Sequence, residues 1–594
     1  MEMLEAQLQF RSLVEMGIAM SNEKDNTRFL EMILAGAREL TNADGGALLL
    51  RPTPDRLTYE LVMLGTPHIH LGGSSKKLCT LNSVSLSEFK TKGPNLADAA
   101  SRVVLTQQPL LIDDFQAGEF EGEYKDLRNF EKRLGYVIRS VMAVPLKPLH
   151  DETMGVLLLF NAKVHDSEEI TPFTPAMREI TSALAAQASA VMSNQNLIQQ
   201  QIQLLESIIK MIASAIDAKS PYTGGHCERV PTLGAMLAQV ACSLKEGPLA
   251  DFSMNEGDWR EFRMAGWLHD CGKVITPEYV VDKATKLETI YNRIHEIRTR
   301  FEVKHRDYTI DYLQSLLDHK APAEELRQEL EQRLNQLQQD FAFIAECNMG
   351  GEFMDPTKIQ RLEALAATPW TRHFDDRLGL SHGEMGRLEG VPPTPVPAEE
   401  HLLADKPDHL IPRRGDAALA YDPVACGFKV NIPENLYNLG EVYNLRISRG
   451  TLTEEERFKI VEHVIYTIFM LEQLPFPRSL ARVSEFAGAH HETMIGTGYP
   501  RKLMRNEMKV QARILAIADV FEALTARDRP YKKPKTLSEA LRIMSFMCKD
   551  QHLDADLFRI FLNSGVYLEY AKQYLGEDQM DEVNVADLNR MIPQ

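Results

Sequence analysis

The chain has 594 residues, which is too long for one hydrophobic core and predicts two or three domains. Its 44% hydrophobic and 25% charged residues are ordinary for soluble globular protein, and no apolar run approaches the roughly 20 residues that span a bilayer. The net charge of −18 disfavours binding to polymeric nucleic acid, whose affinity depends on neutralised phosphates, but it allows a small anionic ligand in a local cationic pocket.

The cysteines and the first residues both bear on the cellular compartment. The seven cysteines are scattered and form no CxxC pair, which is typical of a reducing compartment and argues against a disulfide framework. The opening MEMLEAQLQF is acidic and lacks the basic start and apolar stretch of a signal peptide. We therefore expect a cytoplasmic protein without membrane insertion.

Residues 1–170 alternate between helical and strand patterns. TRFLEMILAGAREL has helical spacing, whereas GALLLRP, LTYELVML, VMAVPLK and MGVLLLFNA are short apolar or alternating runs typical of strands. This mixture predicts an α+β domain whose sheet carries helices on one face. The order of elements, and above all RSVMAVPLK followed by MGVLLLFNA, resembles a GAF domain, a small-ligand or signal-sensing module. The NKFDE-type motif of its cyclic-nucleotide-binding members is absent, so the GAF ligand stays unknown.

A long helical stretch covers residues 171–219, with no glycine or proline after Pro175. Hydrophobic residues recur in it at the a and d positions of a heptad, the pattern of a coiled coil. They are Leu184, Val191, Ile198, Leu205 and Ile212, joined by Ile202, Ile209 and Ile216. We expect residues 176–216 to pair two copies into a homodimer and to carry a signal between domains. Packing within one chain is the alternative.

The remainder of the chain predicts an all-α domain over residues 205–594, interrupted by a large insertion at about 290–440. The first part of the insertion, through LRQELEQRLNQLQQDFAFIAE, is charged with helical spacing, which predicts an antiparallel helical hairpin. The second part, VPPTPVPAEEHLLADKPDHLIPRR, is rich in proline and predicts irregular structure. We find no catalytic motif in the insertion.

Histidines and aspartates in helical contexts are the strongest chemical signal. WLHDCGK places His269 beside Asp270, and ILAIADVFEAL places Asp519 on an apolar helix, where a buried carboxylate needs a cation or a metal as its partner. Several imidazoles with carboxylates match the ligand preferences of iron, manganese or zinc. There are enough ligands for two ions if Asp270 bridges them, and two ions can activate water and stabilise charge on phosphorus. The alternative is a set of unrelated core and surface residues.

These segments resemble the HD-GYP subgroup of HD-domain phosphohydrolases. DAKSPYTGGHCERV, LHDCGK, HHETMIGTGYP and ARILAIADVFEALTARDRPYKK match in the right order, over about residues 210–290 and 440–590. The resemblance implies two divalent metal ions, with iron or manganese favoured and zinc as a further candidate. The implied metal ligands are His226, His269, Asp270, His463, His490, His491 and Asp519.

The resemblance also implies a catalytic group and a substrate pocket. The catalytic residues would be His269, Asp270 and Lys273. The substrate-binding residues would be Lys273, Gly498, Tyr499, Pro500, Arg529 and Lys532. Cationic side chains suit phosphate oxygens through charge-assisted hydrogen bonds, and a tyrosine can stack on a base or donate through its hydroxyl.

The implied activity is metal-dependent hydrolysis of a cyclic dinucleotide, with cyclic di-GMP favoured, to a linear dinucleotide or GMP under control of the GAF-like domain. One alternative is a noncatalytic sensor that binds a cyclic dinucleotide or a protein. Another is a phosphohydrolase for a different nucleotide such as cyclic GMP-AMP. Where some members carry a glutamate that adds a third metal, this chain has Tyr222, so we expect two ions. Ile495 replaces a frequent aspartate before Gly496, which puts the geometry of that loop in question.

Overall fold

The computed structural model describes most of the chain in two compact units, Met1–Leu204 and Leu205–Gln594. The described residues are 2–23, 25–88, 93–120, 122–148, 152–164, 167–218, 225–351, 353–414, 419, 421–527 and 534–593. Within these ranges, every helix is too short or too polar to cross a bilayer.

The first unit is built on one antiparallel sheet with the strand order β3-β2-β1-β7-β6-β5, to which β4 adds beside β2 and β8 beside β7. The strands are β1 (Ala43–Thr53), β2 (Arg56–Leu64), β3 (Ile69–Gly72), β4 (Val84–Ser85), β5 (Leu110–Ile112), β6 (Val141–Leu146), β7 (Gly155–Lys163) and β8 (Ile170–Thr171). The helices are α1 (Glu2–Asn22), α2 (Asn26–Thr41), α3 (Ala99–Thr106), α4 (Lys125–Leu134) and α5 (Pro175–Asp217), and α5 continues into the second unit. The predicted α+β class is confirmed.

Helices cover both faces of this sheet, so the prediction of helices on one face was wrong. On β1, Leu49 belongs to a core with Phe130 of α4, whereas its neighbour Leu48 belongs to a second core with Leu34 of α2 and Leu184 of α5. The central strands read as continuous apolar runs, such as ALLL and VLLLF, because both of their faces are buried. That continuity was the sequence signal for a doubly covered sheet.

The second unit is mainly helical. Its helices are α6 (His226–Ser243), α7 (Glu256–Leu268), α8 (Glu278–Val281), α9 (Ile294–Leu317), α10 (Ala323–Asn348), α11 (Pro356–Ala366), α12 (His382–Arg387), α13 (Glu441–Leu445), α14 (Glu454–Glu472), α15 (Val483–Gly488), α16 (Val510–Thr525), α17 (Leu537–Lys549), α18 (Ala555–Asn563), α19 (Val566–Tyr574) and α20 (Val585–Met591). Its short strands are β9 (Pro369–Arg372), β10 (Ala398–His401), β11 (Leu410–Pro412) and β12 (Asn435–Asn438).

Helix α16 lies in the centre of the second unit's main core. Its residues Leu515 and Phe521 are fully buried, in one cluster with Phe262 of α7 and Phe561 of α18. A helix that is apolar on all sides has to be enclosed, which places Asp519 inside the protein. Capping boxes begin two other helices of this unit, at Asn255 for α7 and at Thr453 for α14.

The insertion is more regular than predicted. Its first part is the expected helical hairpin of α9 and α10, with the rings of Phe301 and Phe341 5.4 Å apart. In its second part β10 pairs with β9 and β11 pairs with β12, where irregular structure was predicted. Strands of three or four residues are too short to reveal an alternating pattern in the sequence.

Helix α5 has the predicted length, but its predicted heptad seam does not form one exposed face. Leu184 is buried in the first unit's core, and Ile209 and Ile216 are buried in the second unit's core. Ile198 (49% exposed) and Ile212 (37%) of that seam are exposed, and further exposed apolar residues of α5 follow a second heptad register, which we call the α5 stripe. They are Leu197 (51% exposed), Leu204 (61%), Ile208 (41%) and Met211 (64%).

Candidate metal centre

The seven predicted metal ligands come from five separate stretches of the second unit and meet at one place. His226 begins α6, His269 and Asp270 follow α7, His463 lies in α14, His490 and His491 follow α15, and Asp519 lies in α16. Their nitrogen and oxygen atoms form three overlapping groups, each within 4.8 Å. These groups are His226 with His269 and Asp519, His463 with His490 and His491, and His269 with Asp270 and His490.

The Asp270 carboxylate lies between two sets of histidines. Its Oδ2 is 3.2 Å from Nε2 of His226 and 3.3 Å from Nε2 of His269. Its Oδ1 is 3.2 Å from Nε2 of His463 and 4.0 Å from Nε2 of His490. Each oxygen therefore faces its own pair of imidazoles, which is the arrangement that a bridging carboxylate needs.

Four imidazoles are oriented by hydrogen bonds from their outer nitrogens. Nδ1 of His269 and of His490 donates to the backbone carbonyl three residues earlier, at 2.7 and 2.6 Å. His463 makes the same contact with the carbonyl of Ile460, and His226 pairs through Nδ1 with the carboxylate of Glu522. An imidazole that donates outward through Nδ1 presents the Nε2 lone pair inward, as metal-binding histidines do.

These inward nitrogens fit a pair of divalent cations. The four Nε2 atoms and Oδ1 of Asp270 are buried and make no hydrogen bond within the described residues. Buried polar atoms without partners are costly, and a metal ion would satisfy several of them at once. Nitrogen and carboxylate donors suit iron, manganese and zinc alike, so the donor set does not select the element.

The charges in the cluster shift its protonation equilibria in opposite directions. Burial opposes charge on His269, yet Asp270 and Asp519 raise its pKa to about 9. Burial and the neighbouring His269 lower the pKa of His490 to about 3. Burial also opposes the charge of Asp270, but Lys273 and the imidazoles hold its pKa well below the usual value. Metal binding needs neutral imidazoles, so a cation has to displace the proton of His269.

Gly272 lets the segment that carries His269 and Asp270 pack closely against α14. The Gly272 N–H donates to Oγ1 of Thr467 (2.9 Å), and that hydroxyl donates to the carbonyl of His269 (3.1 Å). A Cβ at Gly272 would overlap the carbonyl of His463 and lie 2.6 Å from the backbone nitrogen of Thr467. Only glycine lets the segment carrying His269 approach the helix carrying His463 this closely.

The loop of residues 496–501, which we call the pocket loop, lies beside the candidate metal ligands. The ring of Tyr499 stacks on His491, with centroids 4.9 Å apart and planes at 28°. A Cβ at Gly498 would lie 2.5 Å from Cα of Glu492 and 2.6 Å from the carbonyl oxygen of His491, so the loop can fold back only with glycine there. The Tyr499–Pro500 peptide bond is cis.

Of the remaining predicted pocket residues, only Lys273 lies within the part of the chain that the structure describes. The Lys273 ammonium is 2.5 Å from Oδ2 of Asp270, at the edge of the cluster. Arg529 and Lys532 lie outside the described residues, as does Tyr222. Their predicted roles stay predictions.

Sequence reasoning missed three residues that support the site. Glu522 pairs with His226 and accepts from Nε of Arg229 at 2.8 Å. Glu492 accepts from the backbone N–H of Arg501 (2.7 Å) and of Leu503 (3.0 Å), which holds the Tyr499 loop. The third is Thr467, whose hydroxyl accepts from the Gly272 N–H and donates to the carbonyl of His269. Glu522 had a signal, since it is a second carboxylate one turn after Asp519 on the same apolar helix; the other two depend on contacts between distant segments.

Two family models match parts of the chain. A family model described as the HD domain matches residues 397–557, and one described as the GAF domain matches residues 25–192. The HD match contains the four ligands from His463 to Asp519 but begins after His226, His269 and Asp270. The fold therefore completes a ligand set of which the matched segment holds only a part.

Several curated proteins resemble part of the chain. A 3′3′-cGAMP-specific phosphodiesterase of Vibrio cholerae is 35% identical over 153 residues, which cover 24% of this chain and 35% of that protein. A cyclic di-GMP phosphodiesterase of Pseudomonas aeruginosa is 33% identical over 162 residues, covering 27% and 35%. One of Thermotoga maritima is 36% identical over 114 residues, covering 19% and 28%.

The chain thus spans about a third of the length of the first two of these relatives. The family models nevertheless match a large part of each of the two units. Residues 25–192 form a GAF domain, and the helical unit carries an HD domain.

Proposed function

We propose that the helical unit is a metal-dependent phosphodiesterase that hydrolyses a cyclic dinucleotide, with cyclic di-GMP as the first candidate. The observation that carries the proposal is the Asp270 carboxylate between two pairs of inward-facing imidazoles. Two bound divalent cations would activate water at neutral pH and neutralise charge on the phosphate oxygens. We propose His226, His269, His463, His490, His491, Asp270 and Asp519 as their ligands.

The chain's own residues would bind and orient the substrate. The Lys273 ammonium is partly exposed beside Asp270 and would pair with a phosphate oxygen. The Tyr499 ring is stacked on His491. It would therefore contact a base or donate to the substrate. We also propose Gly498 and Pro500 as part of the pocket, together with Arg529 and Lys532.

A noncatalytic sensor is the main competing function. A module that only binds a cyclic dinucleotide has no need for two sets of buried imidazoles around a carboxylate. The relatives differ in the substrate for which they are named, 3′3′-cGAMP or cyclic di-GMP, and base choice depends on contacts in the pocket. A mixed cyclic dinucleotide therefore belongs in the substrate panel.

The test is metal analysis of the purified chain followed by turnover of cyclic di-GMP and 3′3′-cGAMP with iron, manganese or zinc. We expect hydrolysis of at least one of them to a linear dinucleotide or mononucleotides. The H269A/D270A variant should lose it, while the matched H373A/D375A variant, changed at exposed positions of the insertion, should keep it. Full activity in H269A/D270A would refute the assignment.

We further propose that the GAF domain regulates this activity and that α5 pairs two copies. The α5 stripe supports this pairing, because large apolar side chains recur there at heptad spacing on an exposed helix face. Leu197, Leu204 and Met211 would occupy one core position of the heptad and Ile208 the other. The buried residues Leu184, Ile209 and Ile216 are excluded from this seam.

A further inference from the structure

A compact turn in the insertion, residues 421–430, lies against helix α14, and we call it the insertion turn. Asp422 organises its first half, because Oδ1 of this side chain accepts from the backbone N–H of Val424 at 2.9 Å. The backbone N–H of Phe428 donates to the carbonyl of Pro423 at 2.8 Å and closes the turn. These hydrogen bonds fix the direction in which the Phe428 side chain leaves the turn.

The insertion turn packs against the helix that carries His463. Tyr421 and Phe428 are 9% and 6% exposed, and they form one buried cluster with Val464 and Ile468 of α14. Their two rings meet edge to face, with centroids 5.9 Å apart. This packing fixes the turn to α14, because aromatic side chains of this size bury a large apolar area.

The same turn holds the pocket loop directly. The backbone N–H of Lys429 donates to the carbonyl of Pro500 at 2.7 Å. The Arg501 guanidinium lies over the Phe428 ring, 5.6 Å from its centroid, and Tyr499 packs against the cluster that contains Phe428. The same Tyr499 ring stacks on His491, so it contacts both the cluster that contains Phe428 and a predicted metal ligand.

We propose that the insertion turn is a specificity element, in which Phe428 and the Lys429 N–H position Tyr499 for the base of the substrate. The inference rests on the proposed function and deepens it. Phe428 is a positioning residue, because it would act on the substrate only through its contacts with the pocket loop.

The first test compares Phe428→Ala with Val424→Ala, a matched change in the same turn at a side chain that is 86% exposed. In F428A we expect KM for the cyclic dinucleotide to rise about tenfold, since stacking on a misplaced ring is weakened. Its kcat, its metal content and its turnover of bis(p-nitrophenyl) phosphate, which carries no base, should stay within about twofold of the parent chain. Phe428→Leu should restore part of the loss, and V424A should resemble the parent. An unchanged KM in F428A overturns the proposal.

A second pair of variants isolates the backbone hydrogen bond. Lys429→Pro removes the N–H that Pro500 accepts, whereas Lys429→Ala removes the side chain and keeps the N–H. We expect K429P to raise KM and K429A to leave it unchanged. Equal effects in both variants would overturn the role of the backbone donor.

Hydrogen exchange separates failure of this inference from failure of the proposed function. The amides of Tyr499 and Arg501 donate to His491 and Glu492 within the pocket loop. They should exchange faster in F428A than in V424A, whether or not the parent chain hydrolyses a cyclic dinucleotide. Equal exchange would overturn the inference, whereas absence of turnover in the parent chain would refute only the proposed function.

Discussion

Replacing Glu522 tests whether the centre depends on the hydrogen bonds that orient its imidazoles. The Glu522 side chain is 2% exposed and pairs with Nδ1 of His226 and with the Arg229 guanidinium. Loss of an outer partner of a ligating histidine typically lowers metal affinity 10–100-fold, or about 1.4–2.8 kcal/mol. We expect the loss of metal affinity in Glu522→Ala to lie at the upper end of this range, because this variant also removes the ion pair between Glu522 and Arg229. The loss of metal affinity in Glu522→Gln should be smaller, since the amide oxygen still accepts one hydrogen bond.

The measurement is a competition titration of the metal-free chain with a chelator of known affinity, using manganese and then zinc. Glu228→Gln is the matched control, because it removes the same charge from an exposed position on α6. Far-ultraviolet circular dichroism establishes that each variant is folded. Parent-like metal affinity in folded E522A would refute the view that His226 is held for metal binding by this carboxylate.

Three further predictions address the backbone, the pH dependence and the dimer. Gly272→Ala should cost about 1–3 kcal/mol in urea unfolding and lower bound metal, because the new Cβ overlaps the backbone of α14; parent-like values would contradict this packing. The pKa of His269 is raised to about 9, so its proton competes with a cation below that pH. Metal affinity should therefore increase as the pH rises towards 9. A metal affinity that does not change with pH would contradict this coupling. In sedimentation experiments, Leu204→Asp should be monomeric, whereas Gln199→Glu, a change outside the α5 stripe, should still form dimers. If L204D has the same oligomeric state as the parent chain, pairing through the stripe is refuted.

The local sequence was sufficient to predict the long helices and the main strands of the first unit and to name the candidate ligands. Apolar periodicity predicted the length of α5 and the hairpin of α9 and α10, since each is long enough to show several turns of a helical pattern. HHETMIGTGYP and LHDCGK drew attention to the histidines and aspartates because those residue types carry recognisable chemistry. The same reasoning could not decide which face of α5 is free, because neighbouring heptad registers are both apolar.

Only the tertiary structure decided which of these residues meet. Asp270 and His463 are 193 positions apart, and packing of Gly272 on α14 brings them within 3.2 Å. Glu522, Thr467 and the insertion turn owe their roles to contacts between segments distant in sequence, which no local pattern encodes. Side-chain chemistry is a property of each residue, whereas the pairing of buried polar atoms depends on how the whole chain packs.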